Sequence, residues 1–153
     1  MRGTTHLAIG LLVALLFLLI FPAAGWLLLI PCVLFGSLLP DVDHEGSKIN
    51  HLLPITRWVP WLFSHRGFFH SLFPPLLLLF GAMALGYPLI GFYVTIGYLS
   101  HLLSDMLTQA GIGPLHPILR FRIRGPLRTG GLVELLLAAI LVLADAALII
   151  RIL

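Results

Sequence analysis

Apolar residues run through this chain in long unbroken stretches, and the polar residues are gathered between them. Five such stretches stand out, at about 7–22, 24–39, 71–86, 88–107 and 131–151. They are continuous and Leu-rich rather than alternating. That is the pattern of helix in lipid, where each backbone N–H and C=O must be paired within the spanning structure. A bilayer core takes about 20 apolar residues of helix, with about 17 to 25 as the working range. The pattern therefore predicts an all-α, polytopic membrane protein: a bundle of about five transmembrane helices forming one domain over residues 1–153. The second and third stretches are short and hold Pro31, and Pro74 with Pro75, which predicts kinks or tilt.

Two connections are tight, Phe21-Pro22-Ala23-Ala24-Gly25 and Gly86-Tyr87-Pro88, and make hairpins of the first and second spans and of the third and fourth. The other two, about 40–70 and 108–130, are long and polar. Inside the first of these, the apolar stretch 51–63 with Trp58 and Trp61 predicts a short interfacial helix, since tryptophan rings favour the headgroup zone. Arg2 before the first apolar stretch gives it the outline of a signal peptide. The stretch is long, however, and Pro22-Ala23-Ala24 is a poor cleavage site, so it is read as a span.

Composition narrows the class further. The chain is 59% hydrophobic and 10% charged, with a mean hydropathy of +1.08. A soluble domain of this size carries about 25% charge, so a soluble enzyme, a disordered tail and a nucleic-acid-binding module are all excluded. The single cysteine, Cys32, rules out a disulfide framework. With five spans, Arg2, Lys48, Arg57, Arg66, Arg120, Arg122, Arg124 and Arg128 share one face, and only Arg151 falls on the other. Lys/Arg excess marks the cytoplasmic side, which predicts a multi-pass protein of the cell membrane with that face inward.

The residues able to ligate metal divide in the same way. His6, Asp41, Asp43, His44, His65, His70, His101, Asp105, His116 and Glu134 all fall at the basic end, and Asp145 stands apart. Ionisable groups near hydrocarbon are costly unless paired, hydrated or bound to metal, which makes them functional candidates. His101 and Asp105 are four apart, on one face of an otherwise apolar helix. Asp41 and Asp43 follow Pro40 at a helix end, where the backbone can present two carboxylates. Imidazole with carboxylate suits Zn²⁺ first and Mn²⁺ second, and the number of donors suits more than one ion.

Each of these has a plainer reading: an interfacial histidine for His6, His65 and His70, a solvated loop for Asp41 and Asp43, loop positions for His44 and His51. His101 with Asp105 is the pair hardest to read so. The run Arg120-Phe121-Arg122-Ile123-Arg124-Gly125-Pro126-Leu127-Arg128 reads either as the positive-inside anchor or as a cradle for anionic lipid headgroups. Nucleic acid is not an expected partner, because the pI near 9.6 rests on few charges.

Gly36-Ser37-Leu38-Leu39-Pro40-Asp41-Val42-Asp43-His44, His65-Arg66-Gly67-Phe68-Phe69-His70-Ser71 and Ser100-His101-Leu102-Leu103-Ser104-Asp105 occur in that order, with Thr5-His6 before them and Thr129-Gly130-Gly131-Leu132-Val133-Glu134 after. Together they resemble the YdjM-like family of membrane-bound, predicted metal-dependent hydrolases, over nearly the whole chain. That family is considered distantly similar to zinc-dependent phospholipase C and P1 nuclease, helical enzymes whose clustered zinc ions cleave phosphoesters. The resemblance implies that His101-xxx-Asp105 is a metal-binding pair. Pro114-Leu115-His116 is similar to a further ligand turn of those enzymes, although the stretch from Asp105 is longer here.

The expectation drawn from residues and resemblance together is a membrane metallohydrolase acting on a phosphoester of a lipid or lipid-linked substrate. Its metal ligands are His6, Asp41, Asp43, His65, His70, His101 and Asp105. Glu134 is a further ligand or the base that orients water, and Arg66, with Arg120, Arg122, Arg124 and Arg128, holds the anionic headgroup. Membrane lipids and a phosphate-bearing substrate are the expected partners. The rival reading is a metal-binding membrane protein without turnover, serving membrane remodelling or stress. A phosphohistidine lipid phosphatase lacks its Lys-rich signature here, and an intramembrane metalloprotease lacks its His-Glu-xx-His.

Overall fold

Each of the five apolar stretches becomes a helix in the structure, a computed structural model that describes residues 1–152. The five are α1 (Gly3–Ile20), α2 (Trp26–Leu38), α5 (Phe73–Ala84), α6 (Pro88–Met106) and α7 (Leu132–Ile152), with short helices α3 (Lys48–Leu52) and α4 (Val59–Leu62) between α2 and α5. No strand forms among the described residues. The 107–128 connection is held instead by isolated bridges, Thr108 to Leu127 and Ile112 to Ile123.

Three helical segments are long and apolar enough to cross a membrane: Gly3–Ile20, Trp26–Asp43 and Leu132–Ile152. The other two differ from expectation for separate reasons. α5 has 12 residues, and at 1.5 Å per residue it reaches about 18 Å against a hydrocarbon core of about 30 Å. Pro74 and Pro75 do not kink it. They lie in its first turn, where their missing N–H groups would have had no partner in any case. α6 is long enough at 19 residues, but it turns Thr95, Ser100, His101, Ser104 and Asp105 into the bundle, which lowers its hydropathy.

The predicted interfacial helix is also broken up. Pro54 ends α3 and opens a tight turn at Pro54–Trp58, and Pro60 sits in the first turn of α4. The amphipathic placement survives the breaks: Ile55, Trp58, Trp61 and Leu62 all remain exposed.

Helix α2 makes its most extensive contact with α6, which also packs on α5, while α1 packs on α2, α6 and α7. The α2–α6 contact depends on two glycines. A Cβ on Gly36 would run into the Val94 carbonyl, and one on Gly97 into the Val33 carbonyl. Small residues at such a crossing let two backbones approach closely, which is how helices associate in lipid. Ala14, Leu18, Leu29, Val33 and Tyr93 fill the space between α1, α2 and α6. The N-terminal ends of α1, α5 and α7 and the C-terminal ends of α2 and α6 lie together, and there the polar residues collect.

Candidate metal centre

α2 does not stop cleanly. After Leu38 it tightens into a turn of 3-10 helix, Leu39–Asp43, with Pro40 near its start. That turn carries Asp41 and Asp43 to the bundle end. Asn50 clamps it by donating from Nδ2 to the carbonyls of Val42 (3.1 Å) and His44 (2.8 Å). A second tight turn, Phe68–His70, precedes α5. It is fixed to α6 by the Tyr98 hydroxyl, which donates to the Phe69 carbonyl at 2.6 Å, and it delivers His70. His6 comes from the first turns of α1, and His101 and Asp105 from the last turns of α6.

These residues meet. His6, His101 and Asp105 form one group of donor atoms; Asp41, His70 and His101 a second; Asp43, His65 and His70 a third, each within 4.8 Å. His101 and His70 are shared, so the three groups form one continuous cluster holding all seven expected ligands. Asp105 lies at its centre. Oδ1 faces His6 Nε2 at 3.5 Å, and Oδ2 faces His70 Nε2 at 3.7 Å and His101 Nε2 at 4.0 Å. Asp41 Oδ1 approaches the same two imidazoles, at 3.9 Å from His70 and 3.7 Å from His101. Bonds of about 2.0–2.1 Å to a tetrahedral Zn²⁺ set donor–donor separations of about 3.3 Å. The observed spacings exceed that by a few tenths of an ångström.

The hydrogen bonds around the cluster fix which nitrogen of each ring faces inward. His101 Nδ1 donates to the Ser37 carbonyl at 2.8 Å. Ser104 spends its proton on the His101 carbonyl (2.8 Å), so its oxygen accepts from His6 Nδ1 at 2.9 Å. In both rings Nε2 is left as the bare acceptor. Nε2 of His6, His70 and His101 is buried with no hydrogen-bond partner. The His6 and His101 rings stack with centroids 3.5 Å apart. A buried polar atom without a partner costs roughly 1–3 kcal/mol, and three such atoms spread over adjoining donor groups fit more than one cation accepting their lone pairs. A metal-bound histidine ordinarily donates its other nitrogen to a carbonyl, hydroxyl or carboxylate in this way.

Asp43 behaves differently from Asp41. It is almost fully buried, accepts from His65 Nδ1 at 2.7 Å and from the Arg66 amide at 3.0 Å, and lies 3.3 Å from His70 Nδ1. Its carboxylate therefore holds the His65 ring by a hydrogen bond and stands behind the His70 ring, whose Nδ1 approaches it without forming one. Asp41 and His65 are the members that reach outward, with side chains 18% and 40% exposed.

Arg66 closes the cluster. Its guanidinium pairs with Asp105 Oδ2 at 3.0 Å and donates to Thr108 Oγ1 at 3.2 Å. Its backbone is held at φ 60°, uncommon for a bulky residue and of the kind that concentrates at functional sites. The Met1 nitrogen pairs with Asp105 Oδ1. Outside these groups opens a cavity of about 390 Å³ whose wall includes Asp41, His65, Arg66, Arg2, Lys48 and His44. It is strongly basic and reaches the cluster through Asp41 and His65.

Two expected roles do not match the positions found. Glu134 is outside the cluster, because its carboxylate is taken up elsewhere: it accepts from the Arg2 amide (2.6 Å), the Thr5 hydroxyl (2.9 Å) and the Gly130 amide (2.6 Å). From the first turn of α7 it reaches back to its own helix start, as a capping-box glutamate does, and it ties α7 to α1. Of the four arginines expected at the headgroup, only Arg120 and Arg122 share a cavity, and that cavity is a separate one containing His116. Asp145 is buried in α7 away from the cluster. Ser37, Ser104, Asn50, Lys48 and Arg2 were given no role at the site from sequence. Ser37 acts through its carbonyl, which no side chain signals, whereas Ser104 lies three residues after His101 and one before Asp105 on the same polar helix face.

A family model described as YdjM inner membrane protein matches residues 1–152. The inner membrane protein YdjM of Escherichia coli is 37% identical over 113 residues, covering 67% of this chain and 55% of the relative. YvsG of Bacillus subtilis is 39% identical over 114 residues, covering 72% of this chain and 71% of the relative. The chain spans about half the length of the YdjM relatives it matches. No solved structure matches it.

Proposed function

The chain belongs to the YdjM family of inner membrane proteins, and from that premise we propose that it is an integral-membrane, metal-dependent hydrolase cleaving a phosphoester of a lipid or lipid-linked headgroup. The observation that carries the reading is the convergence of three buried, unpartnered Nε2 atoms on two carboxylates. Structural packing gives no reason to leave three imidazole lone pairs facing one another. When bound, divalent ions, Zn²⁺ before Mn²⁺ and more than one by the number of donors, bring the pKa of water toward neutrality and neutralise phosphoester charge.

The chain's own residues divide the remaining work. His6, His70, His101, Asp41 and Asp105 hold the ions, with His65 at the open edge. Asp43, Ser37 and Ser104 hold the rings. Arg66, Lys48 and Arg2 bind the phosphate in the basic cavity, Arg66 being suited to two-pronged contact with a phosphate. His65, at the open edge of the cluster and in the cavity wall, takes the role expected of Glu134 and accepts a proton from attacking water. All five long helices are embedded in this reading, α5 sheltered by α6 across a thinned bilayer. The basic end faces the cytoplasm.

The test is direct. Full-length protein purified in detergent should contain divalent metal by elemental analysis, and His101→Ala and Asp105→Ala should each release it. Full metal in both variants would overturn the reading. Chelator-sensitive turnover should follow on a panel of phospholipids and phosphodiesters. Bound metal without any turnover would leave the metal-binding, non-catalytic role instead.

A further inference from the structure

Behind Arg66 lies a second basic cavity, of about 350 Å³, bounded by Arg66, His116, Leu119, Arg120, Phe121 and Arg122. None of the seven cluster residues lines it. Arg122 donates to the Arg66 carbonyl at 2.9 Å, which props it beside the opening. No carboxylate lines the cavity, and among the described residues neither Arg120 nor Arg122 forms an ion pair. His116 adds a buried Nδ1 with no hydrogen-bond partner. Uncompensated guanidinium around a hollow, with a spare imidazole nitrogen, is an arrangement that selects an anion with several acceptor oxygens.

The surroundings say where that anion comes from. Ile118, Leu119 and Phe121 are 72%, 51% and 60% exposed on the same segment, and the 40–70 connection, which meets this segment at Arg66, exposes Trp58 and Trp61 at 56% and 82%. Arginine alternating with exposed apolar side chains belongs at the headgroup level, where apolar rings dip toward acyl chains while the charge stays wet. We propose that this cavity is a second anion site, distinct from the metal cluster, that takes the phosphate of an anionic membrane lipid and seats this end of the bundle against the bilayer surface.

Native mass spectrometry on the full chain in detergent reads the bound lipid directly. The probes are dioctanoyl phosphatidylglycerol, dioctanoyl phosphatidylcholine and inorganic phosphate. Phosphatidylglycerol should bind, and the other two should bind at least about tenfold more weakly, phosphatidylcholine because its choline offsets the phosphate charge and inorganic phosphate because it has no acyl chains to meet Ile118 and Phe121. Arg120→Gln, which removes a side chain with no bond to the protein, should weaken binding about tenfold, and Arg120→Gln with Arg122→Gln more. His101→Ala, which tests the metal, should leave phosphatidylglycerol binding intact, so the two readings can fail independently. Wild-type binding by both arginine variants would overturn the proposal, as would loss of the lipid in His101→Ala. Equal affinity for inorganic phosphate would also overturn it, showing a soluble ligand instead of a lipid.

Discussion

Asp41 and Asp43 are two positions apart and have different neighbours, and that difference is the sharpest residue-scale test of the centre. Asp41 faces the bare Nε2 atoms of His70 and His101, whereas Asp43 faces the Nδ1 side of His65 and His70. Asp41→Ala should therefore abolish metal binding at one position. Asp43→Asn should weaken affinity by about 10- to 100-fold while leaving stoichiometry unchanged, the usual cost of losing an outer-shell carboxylate. A competition titration against a metallochromic chelator separates the two outcomes. Glu134→Ala should act on stability instead. It strips an acceptor from two amides and a hydroxyl, costing about 2 kcal/mol, so Tm should fall while metal content holds. The seven cluster residues were legible in the sequence because imidazole and carboxylate are conspicuous in an apolar chain. Their division of labour was not, since it depends on the path of the Leu39–Asp43 turn and on a backbone carbonyl, that of Ser37.

At the scale of elements, the helices were legible from hydrophobic runs, and their departures from expectation trace to proline and to polarity. Pro74 and Pro75 set the start of α5, Pro54 and Pro60 divide the interfacial segment, and the inward polar face of α6 lowers its hydropathy without loosening its packing. The crossing of α2 and α6 links packing to chemistry. Gly97 lies against Val33 and the Ser37 amide, and the Ser37 carbonyl holds the His101 ring. Gly97→Val should push the helices apart at a cost of about 1–3 kcal/mol. It should also lower metal occupancy although no donor has been altered. Unchanged metal content in a destabilised Gly97→Val protein would show that the ring is held by something other than this contact.

At the scale of the whole molecule, basic residues and metal donors gather at one end, which predicts sidedness. In a Cys32→Ser background, Tyr87→Cys at the α5–α6 hairpin should react with an impermeant thiol reagent on intact cells. Ser64→Cys should react only after the membrane is permeabilised. α7 stands apart from this chemistry: 17% of its span is buried, against 39% for α1. All seven cluster residues lie between His6 and Asp105, and Glu134 makes a polar tie from α7 to α1. The last helix is thus a clasp fastened over an already complete receptacle. A gene severed in the turn before Leu132 and expressed as two pieces should yield halves that rejoin through the packing of α7 on α1 and the Glu134 tie, and the larger half should carry the entire capacity for metal.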